Sequence, residues 1–411
     1  MPSLSLPFQT SLHGRGLALI AGLGITQVIG YGALYYAFAV LAPKMTDSFG
    51  WAPEWTYGGF AVGLLAGGLA APIAGRLIDQ HGTRLMMTVG SALAGVALIG
   101  LAEARGPFGY SAAMIALEIV STLVLYDAAF TALTQARGTS ARRSISQLTL
   151  IGGFASTLFW PLTTALLNVL DWRDIYRLYA LLQFVVCIPL HLMLLPARAP
   201  QTVTGEPPAE AARELPGSYL DGNERRVAFS MLALAFSLQG FVVSSLSVHM
   251  LSLLQGLGLS AALAVIIGAM VGPSQVAGRL VEMLFGTSLD PVTTAWTSAA
   301  LMPFGLALLT FGSTSATLAG LFAIAYGISM GLSSIVRGTV PLRLFGPAGY
   351  GAMLGKLSAP GLVVKAAAPL LFAVMIERAG LLPSTLLLVV LSTLSAVALF
   401  VLAAKVKRVQ P

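Results

Sequence analysis

Charged residues are scarce in this chain of 411 residues: 9% are Asp, Glu, Lys or Arg, whereas 56% are hydrophobic. A soluble globular protein carries about 25% charged residues, so the composition excludes that class. Cysteine occurs once, as Cys187, which excludes an intrachain disulfide. The four histidines are scattered without the spacing of metal ligands, and we therefore predict neither a metal site nor a cofactor.

Motifs for other sources of chemistry are also missing. The chain has no glycine-rich phosphate-binding loop, so ATP-driven transport within this chain is disfavoured. It has no Ser/His/Asp, Cys/His or histidine–metal constellation, so we predict that it is not a membrane enzyme. A third class, a receptor or sensor that has lost transport, is disfavoured by the charged residues that remain inside the membrane segments.

Long apolar runs make up most of the sequence. The hydrocarbon core of a bilayer is about 30 Å thick, and a helix needs roughly 20 apolar residues to cross it. We count about twelve such runs, at residues 17–43, 56–78, 84–103, 110–135, 145–170, 174–196, 226–253, 259–285, 292–312, 317–340, 353–376 and 381–404. The sequence therefore predicts an all-α membrane protein with twelve transmembrane helices.

The net charge of +7 is explained by topology rather than by nucleic-acid binding. With the N-terminus placed inside, seventeen of the 23 Lys and Arg residues lie on the cytoplasmic side. Cytoplasmic loops carry such an excess in membrane proteins, so both termini are predicted to be cytoplasmic. The first apolar run is too long for a signal-peptide core and is interpreted as a retained span.

A hydrophilic interval divides the chain into two halves. Residues 197–224 are rich in proline and charge, as is typical of a flexible cytoplasmic linker. The predicted domains are residues 1–196 and 225–411, each with six spans. The letters AGRL occur near the end of the second run of each half, at residues 74–77 and 277–280, which indicates duplication into two pseudo-symmetric six-helix bundles with the same orientation. Parallel repeats of this kind are typical of transporters that alternate around a central site.

The segment between the second and third runs, APIAGRLIDQHGTRLMM at residues 71–87, carries a clustered polar motif. A glycine is followed four positions later by an acidic residue, and then by a basic turn with a second glycine. These residues are Gly75, Asp79, Gly82 and Arg84, with Arg76 after the first glycine. The motif resembles the signature of the major facilitator superfamily, and the resemblance covers the whole chain. It implies that family's twelve-helix fold and transport by alternating access.

The resemblance also implies a conformational latch at this loop. In the family, the motif's carboxylate, here Asp79, caps the N-terminus of a neighbouring helix, where the partial positive charge attracts an anion. Gln80 and Thr83 replace residues that are usually basic, so we expect a weaker latch. The second half repeats the pattern as SQVAGRLVEML at residues 274–284, and its latch residues are Gly278, Arg279 and Glu282. The alternative is an ordinary cytoplasmic loop with basic residues.

Ionisable residues inside the membrane are costly and mark functional sites. Lys365, near the middle of the eleventh run, is predicted to be a cationic anchor for an anionic substrate; the alternative is a structural partner for Asp127 or for backbone carbonyls. Asp127, in the fourth run, is predicted to carry the coupling proton; the alternative is an ion pair that holds two helices together. Glu118 lies nine residues earlier and is expected on the opposite face of the same helix.

Uncharged polar residues complete the predicted substrate site. Gln27 and Tyr31 share one face of the first run, because they are four residues apart. Gln239 is the corresponding candidate in the seventh run. Arg337 is interpreted as an anchor at the cytoplasmic end of the tenth run.

These residues predict a small organic anion moved with protons, a monocarboxylate or alternatively a zwitterion, and the resemblance implies a bacterial inner membrane. The chain is similar to the monocarboxylate and oxalate–formate branches of the superfamily, which use a basic residue in the eleventh span. Those branches also have an arginine in the middle of the eighth span, which is missing here, so a dicarboxylate is disfavoured. The expected partners are the solute, the proton and the lipid bilayer, without nucleic acid, and the protein is expected to be a monomer.

Efflux of drugs or toxic molecules by proton antiport is the alternative function. The superfamily's antiporters usually carry a glycine-rich signature with a Gly-Pro pair in the fifth span. Here that span contains Gly152 and Gly153, but Trp160 precedes Pro161 in place of the glycine.

Overall fold

The computed structural model describes residues 7–197, 220, 222–286, 289–312 and 315–409, and it contains only helices and connections within these ranges. Within the described part of the chain, twelve helices are long and apolar enough to cross a membrane, which agrees with the predicted number. We name them α1 to α12: Gly16–Phe49, Pro53–His81, Thr83–Ala102, Pro107–Arg137, Ala141–Leu166, Trp172–Leu194, Gly222–Gly256, Ala261–Phe285, Pro291–Phe311, Ala316–Phe345, Tyr350–Ala379 and Leu381–Lys407. Most of the predicted linker lies outside the described residues.

In the first half, α1, α4, α5 and α6 are interrupted, whereas α2 and α3 and the described helices of the second half are continuous. Helix α1 contains a π-helical turn at Gly32–Tyr36, and α6 contains one at Gln183–Cys187. Helix α4 consists of two segments, Pro107–Ser121 and Tyr126–Arg137, and α5 is interrupted after Gly152. π turns and breaks in membrane helices often lie at functional sites. Helices α1 and α4 are therefore candidates to carry functional residues.

The chain divides into two compact units. The first contains Met1–Gly59 and Leu77–Thr202, and the second contains Phe60–Arg76 and Val203–Pro411. In the first unit, α1 packs on α5 and α6, and α3 packs on α4 and α6. In the second unit, α7 packs on α11 and α12, and α9 packs on α10 and α12. The same pairings recur six helices later, as expected of a duplicated six-helix unit.

Helices α8 and α10 approach closely in the second unit because glycines face the partner backbone. A Cβ at Gly327 would lie 2.6 Å from the carbonyl oxygen of Val271. A Cβ at Gly331 would overlap the carbonyl oxygen of Gln275. Small residues allow such close packing between membrane helices. The glycines therefore fix the distance between the two helices that carry Arg279 and Arg337.

Gly331→Ala is expected to destabilise the protein, since the new methyl group must push α8 and α10 apart. Overpacking of this kind costs about 1–3 kcal/mol. The measurement is the midpoint of thermal unfolding in detergent. Gly320→Ala on the same helix is the matched control, because its Cβ would meet only the end of Met270 at 3.9 Å. Equal midpoints for the two variants would contradict the packing argument.

An ion pair between Arg177 and Glu103 connects α6 with the end of α3 in the first unit. Arg177 Nε donates to Glu103 Oε1 at 3.0 Å, and Nη1 donates to Asp174 Oδ1 at 2.6 Å. The hydrogen bond from Arg177 lowers the pKa of Glu103 below its ordinary value. The side chains of Arg177 and Glu103 are 44% and 53% exposed, so solvent screening keeps the contribution to stability small.

Candidate functional site

The break in α4 is stabilised by Gln27 of α1. Residues 122–125 leave the helical path, and Leu125 adopts an extended conformation before the second segment begins. Gln27 is fully buried, and its Nε2 donates to the carbonyl oxygen of Val124 at 2.8 Å. Backbone groups inside a bilayer must be satisfied by the protein, so this side chain replaces a missing helical hydrogen bond. Gln27 Oε1 is buried and has no hydrogen-bond partner among the described residues.

Asp127 lies in the first turn of the second segment of α4, directly after the break. Its carboxylate is at the positive end of that segment, which stabilises a negative charge. The side chain is half-buried, and Thr131 Oγ1 donates to its backbone carbonyl at 2.7 Å. The expectation that Asp127 and Glu118 lie on opposite faces assumed one continuous helix, whereas the structure interrupts the helix between the two residues.

Glu118 is the most buried carboxylate of the first unit among the described residues. It is 6% exposed, and its Oε1 has no hydrogen-bond partner in that part of the chain. Sequence reasoning gave Glu118 no role. Its burial is a consequence of the packing of α4 that the residue pattern did not show.

Tyr31 belongs to an aromatic cluster, which we define as Tyr31, Tyr35, Tyr36, Tyr126 and Trp160. Its ring centroid is 4.7 Å from that of Tyr126 and 6.3 Å from that of Tyr36. Tyr36 meets Tyr35 and Trp160 edge-on at 5.4 and 5.7 Å. The π turn of α1 brings three of these rings together, and the break of α4 supplies Tyr126. Such a cluster offers both apolar surface and hydroxyl groups to a ligand.

A groove of about 690 Å³ runs along α5 in the first unit. Trp160 projects into it and is 48% exposed. The groove is lined by Ser156, Thr157, Trp160, Pro161, Thr164, Ala165 and Asn168. Four of these side chains are polar, and polar groups on a membrane helix usually face protein or a water-filled cavity rather than lipid.

Lys365 lies near the middle of α11 in the second unit, and it is half-buried. Its stem runs along α7: a Cβ at Gly240 would lie 3.3 Å from both Cγ and Cε of Lys365. Ser244 Oγ of α7 donates to the backbone carbonyl of Lys365 at 2.8 Å. Because Gly240 has no side chain, the Lys365 stem can lie against α7 at this position.

Gln239 and Arg337 lie in the same region of the second unit. Gln239 Nε2 donates to Ser333 Oγ of α10 at 2.7 Å, and Arg337 Nη2 donates to Ser358 Oγ of α11 at 2.8 Å. Helix α10 continues to Phe345, eight residues beyond Arg337. Arg337 therefore lies about 12 Å from the end of α10, which extends five residues beyond the predicted tenth run.

The first predicted latch segment ends α2 with a glycine in a special conformation. Gly82 has φ +86°, which favours glycine, and terminates the helix. Gly75 packs so closely on the first turn of α11 that a Cβ would overlap the carbonyl oxygen of Gly351. Asp79 and Arg84 are half-buried in the first unit. Arg76 is exposed in the second unit, and its Nε donates to Pro72 O at 3.3 Å.

The second predicted latch segment is buried within the second unit. Arg279 is 6% exposed and donates from Nε to the carbonyl oxygen of Gly331 and to Ser334 Oγ, at 3.3 and 3.1 Å. Glu282 is also buried. A Cβ at Gly278 would lie 3.1 Å from Cα of Ile328. These contacts tie α8 to α10.

Comparison with known proteins identifies the family. Residues 23–359 match the sequence profile of the Major Facilitator Superfamily. The chain belongs to this superfamily. In structure it is similar to the human organic anion transporter MFSD10 (TETRAN), known from a crystal structure, with a TM-score of 0.66, over 97% of this chain and 100% of that chain. The sequence identity is 18%, so this similarity shows the fold alone. No curated protein matches the chain in sequence.

Membership of the superfamily establishes the general activity. Its members carry small solutes across membranes and are generally not enzymes, so this chain is a multi-pass membrane transporter that binds a small solute within a lipid bilayer. Within the described residues, no three His, Cys, Asp or Glu side chains come together as metal ligands.

Proposed function

We propose that this protein is a secondary active transporter for a small organic anion, coupled to protons and working by alternating access. The observation that carries the proposal is Lys365, a half-buried ammonium group near the middle of a membrane helix. A charge at that depth costs from about 3 to above 10 kcal/mol unless it is paired or solvated. We infer that an anionic substrate binds this ammonium group during transport.

Polar side chains around the two candidate regions support the substrate site. In the second unit, Gln239 lies next to Gly240, on which the Lys365 stem rests. In the first unit, Tyr31 offers a ring and a hydroxyl group, and the Oε1 of Gln27 is a buried acceptor without a partner among the described residues. Buried acceptors are almost always satisfied in resting proteins. We infer that Gln27 accepts a hydrogen bond from the solute or from a proton carrier in another state of the cycle.

Asp127 is our proposed proton carrier. Its position next to the break in α4 and its partial burial support this role, because a coupling carboxylate has to meet water in one state and apolar surroundings in another. The fully enclosed Glu118 lacks that access in the described state.

Transport into liposomes tests the proposed function. Purified protein is reconstituted with a pH-sensitive dye inside, and small monocarboxylates, dicarboxylates, amino acids and cationic drugs are added outside. We expect internal acidification with an organic anion. Alkalinisation of acid-loaded vesicles by cationic drugs, without a response to any anion, would refute anion symport.

We also propose that the loop after α2 acts as the conformational latch, with Asp79 as its acidic member and Gly82 and Arg84 in the turn. The close packing of Gly75 on α11 supports a mechanical role at this level of the helix. Arg76, and Gly278, Arg279 and Glu282 of the second segment, complete the proposed latch.

Gly75→Ala is expected to slow transport severalfold while the protein remains folded, because the methyl group must displace the first turn of α11. Gly58→Ala on the same helix is the control, since a Cβ there meets nothing within 4 Å. Initial uptake rates and thermal midpoints are measured for both variants. Unchanged uptake by Gly75→Ala would contradict the mechanical role.

The cellular setting that we propose follows from the charge asymmetry. The protein lies in the inner membrane of a bacterium with both termini in the cytoplasm, as the positive-inside rule indicates. We also propose that the chain is divided into two bundles, residues 1–196 and 225–411, joined by a linker at 197–224. The protein is proposed to be a monomer.

Efflux of a cationic amphiphile is the second candidate function. The observation in its favour is the aromatic cluster, since aromatic faces attract organic cations. The liposome assay separates this function from anion transport by the direction of the pH change.

A further inference from the structure

The groove along α5 carries a regular row of side chains. Four of its lining residues follow one another at intervals of four: Ser156, Trp160, Thr164 and Asn168. Residues four apart share one face of a helix, and the helical part from Ser156 to Thr164 spans about 12 Å. The groove volume of about 690 Å³ lies within the range of about 300–1,000 Å³ that is typical of small-molecule sites. The groove is therefore large enough to hold a solute against this row.

The polar side chains of the groove differ from the other hydroxyl side chains of the same span. Thr149 Oγ1 donates to the carbonyl oxygen three residues earlier at 2.9 Å, and the buried Thr163 pairs with Tyr179 Oη at 2.6 Å. Hydroxyl groups in helices often bond to the backbone in the first of these ways. Within the described residues, four side chains of the groove make no hydrogen bond: Ser156, Thr157, Thr164 and Asn168. Their donors and acceptors can therefore bind a molecule in the groove.

Pro161 adds a backbone acceptor beside the row. It lies inside the helical segment Ala155–Leu166 and has no N–H group, so the carbonyl oxygen of Thr157 loses its helical donor. Thr157 and Pro161 both line the groove, which places this carbonyl at its wall. Backbone groups in a bilayer have no lipid partner, so a polar molecule in the groove is a favourable donor to this oxygen.

Trp160 provides an apolar surface in the middle of the polar row. Its ring centroid is 5.7 Å from that of Tyr36 of α1, at an interplanar angle of 82°. This contact positions the indole ring, while 48% of the side chain remains exposed. A flat aromatic ring packs well against the C–H face of a saturated ring, so the row combines one apolar platform with hydroxyl and amide groups.

The chemistry of the lining selects the kind of ligand. No charged side chain lines the groove among the described residues, and an ion that leaves water without a partner is strongly disfavoured. Hydroxyl and carboxamide groups each donate and accept hydrogen bonds. Alcohol groups have the same dual capacity. A ligand with several hydroxyl groups and no charge therefore matches this lining.

We propose that the groove binds a neutral, polyhydroxylated ring. Its C–H face packs on Trp160, and its hydroxyl groups bond to Ser156, Thr164 and Asn168. This site goes beyond the proposed anion transport and does not depend on it, because the groove belongs to the first unit and Lys365 to the second. A free solute and the headgroup of a glycolipid both present this chemistry, and the experiment distinguishes them.

Equilibrium dialysis of the purified full-length protein tests the proposal, in a detergent without hydroxyl groups and with labelled myo-inositol and glucose as probes. Trp160→Leu is expected to weaken binding of the probes at least about tenfold, because the platform is lost. Thr164→Val replaces a hydroxyl by a methyl group of similar size and is expected to weaken binding about threefold to tenfold. Cyclohexanol, with one hydroxyl, is expected to compete at least about tenfold less well than unlabelled myo-inositol.

Leu158→Ala is the matched control, because Leu158 is an exposed residue of α5 that does not line the groove. It is expected to bind the probes as the wild type does. Thermal midpoints are measured for every variant, so that a folding defect is recognised. The proposal is overturned if neither probe binds the wild type, or if folded Trp160→Leu and Thr164→Val bind both probes with unchanged affinity.

Vesicles that contain a neutral glucosyl diacylglycerol distinguish the two sources of the ring. Displacement of myo-inositol by this glycolipid, but not by diacylglycerol alone, would assign the groove to a lipid headgroup. Binding of myo-inositol that the glycolipid leaves unchanged would assign it to a free solute. Both results uphold the proposed chemistry. The dye assay with organic anions tests anion transport separately, so a failure of either proposal leaves the other standing.

Discussion

Replacing Lys365 by alanine is expected to abolish uptake of the organic anion and to weaken its binding at least about tenfold. A hydrogen bond to a charged group contributes about 1.5–3 kcal/mol, and about 1.4 kcal/mol corresponds to a factor of ten. The position of Lys365 near the middle of α11 makes the effect large, because water screens the interaction weakly there. Binding is measured by equilibrium dialysis and uptake by the dye assay in liposomes.

Control variants distinguish the loss of the positive charge from a defect in folding. Arg378→Gln also removes one positive charge from α11, but at an exposed position, and it is expected to bind the anion as the wild type does. Lys365→Arg is expected to retain part of the binding. If the wild type bound a charged carboxylate and its neutral amide equally well, the anchoring role of Lys365 would be refuted.

Asp127→Asn is expected to eliminate proton-coupled accumulation while solute binding stays within about threefold of the wild type. The amide has nearly the same size and can donate and accept hydrogen bonds, but it cannot release a proton. The measurement compares accumulation with and without an imposed pH gradient. In the variant, the gradient is expected to have no effect.

Glu118→Gln is the matched control for Asp127→Asn, because it makes the same chemical change in the first segment of the same span. Glu118 is enclosed, whereas Asp127 is half-buried, so we expect the control to keep its response to the gradient. Loss of coupling in Glu118→Gln with normal coupling in Asp127→Asn would assign the proton to Glu118 instead.

The break in α4 shows what the sequence could not reveal. The residues TLVL at positions 122–125 contain neither glycine nor proline, and their apolar character predicts a continuous helix. The break is tolerated because Gln27, almost one hundred residues earlier, satisfies the carbonyl of Val124. A contact between such distant residues is a property of packing, and single-sequence reasoning does not contain it.

The position of Arg337 shows a second limit of prediction from the sequence, namely the placement of helix ends. Hydropathy placed it at the end of the tenth run, because the average falls where an arginine and prolines appear. The helix in fact continues to Phe345, since backbone hydrogen bonds persist through polar residues when neighbouring helices support them. Helix α10 thus extends five residues, about one and a half turns, beyond the predicted tenth run.

The sequence by itself predicted a membrane protein with twelve spans, a duplicated chain and its family. The length of the apolar runs, the asymmetry of the basic residues and the repeated motif are all properties of the linear chain. It also located the ionisable residues of the spans, such as Lys365 and Asp127. Only the tertiary structure decided that Glu118 is enclosed, that Gln27 stabilises a broken helix, and that Arg337 of α10 donates a hydrogen bond to Ser358 of α11. Burial and facing depend on how helices pack and where they break, and these are set by contacts between residues far apart in the chain.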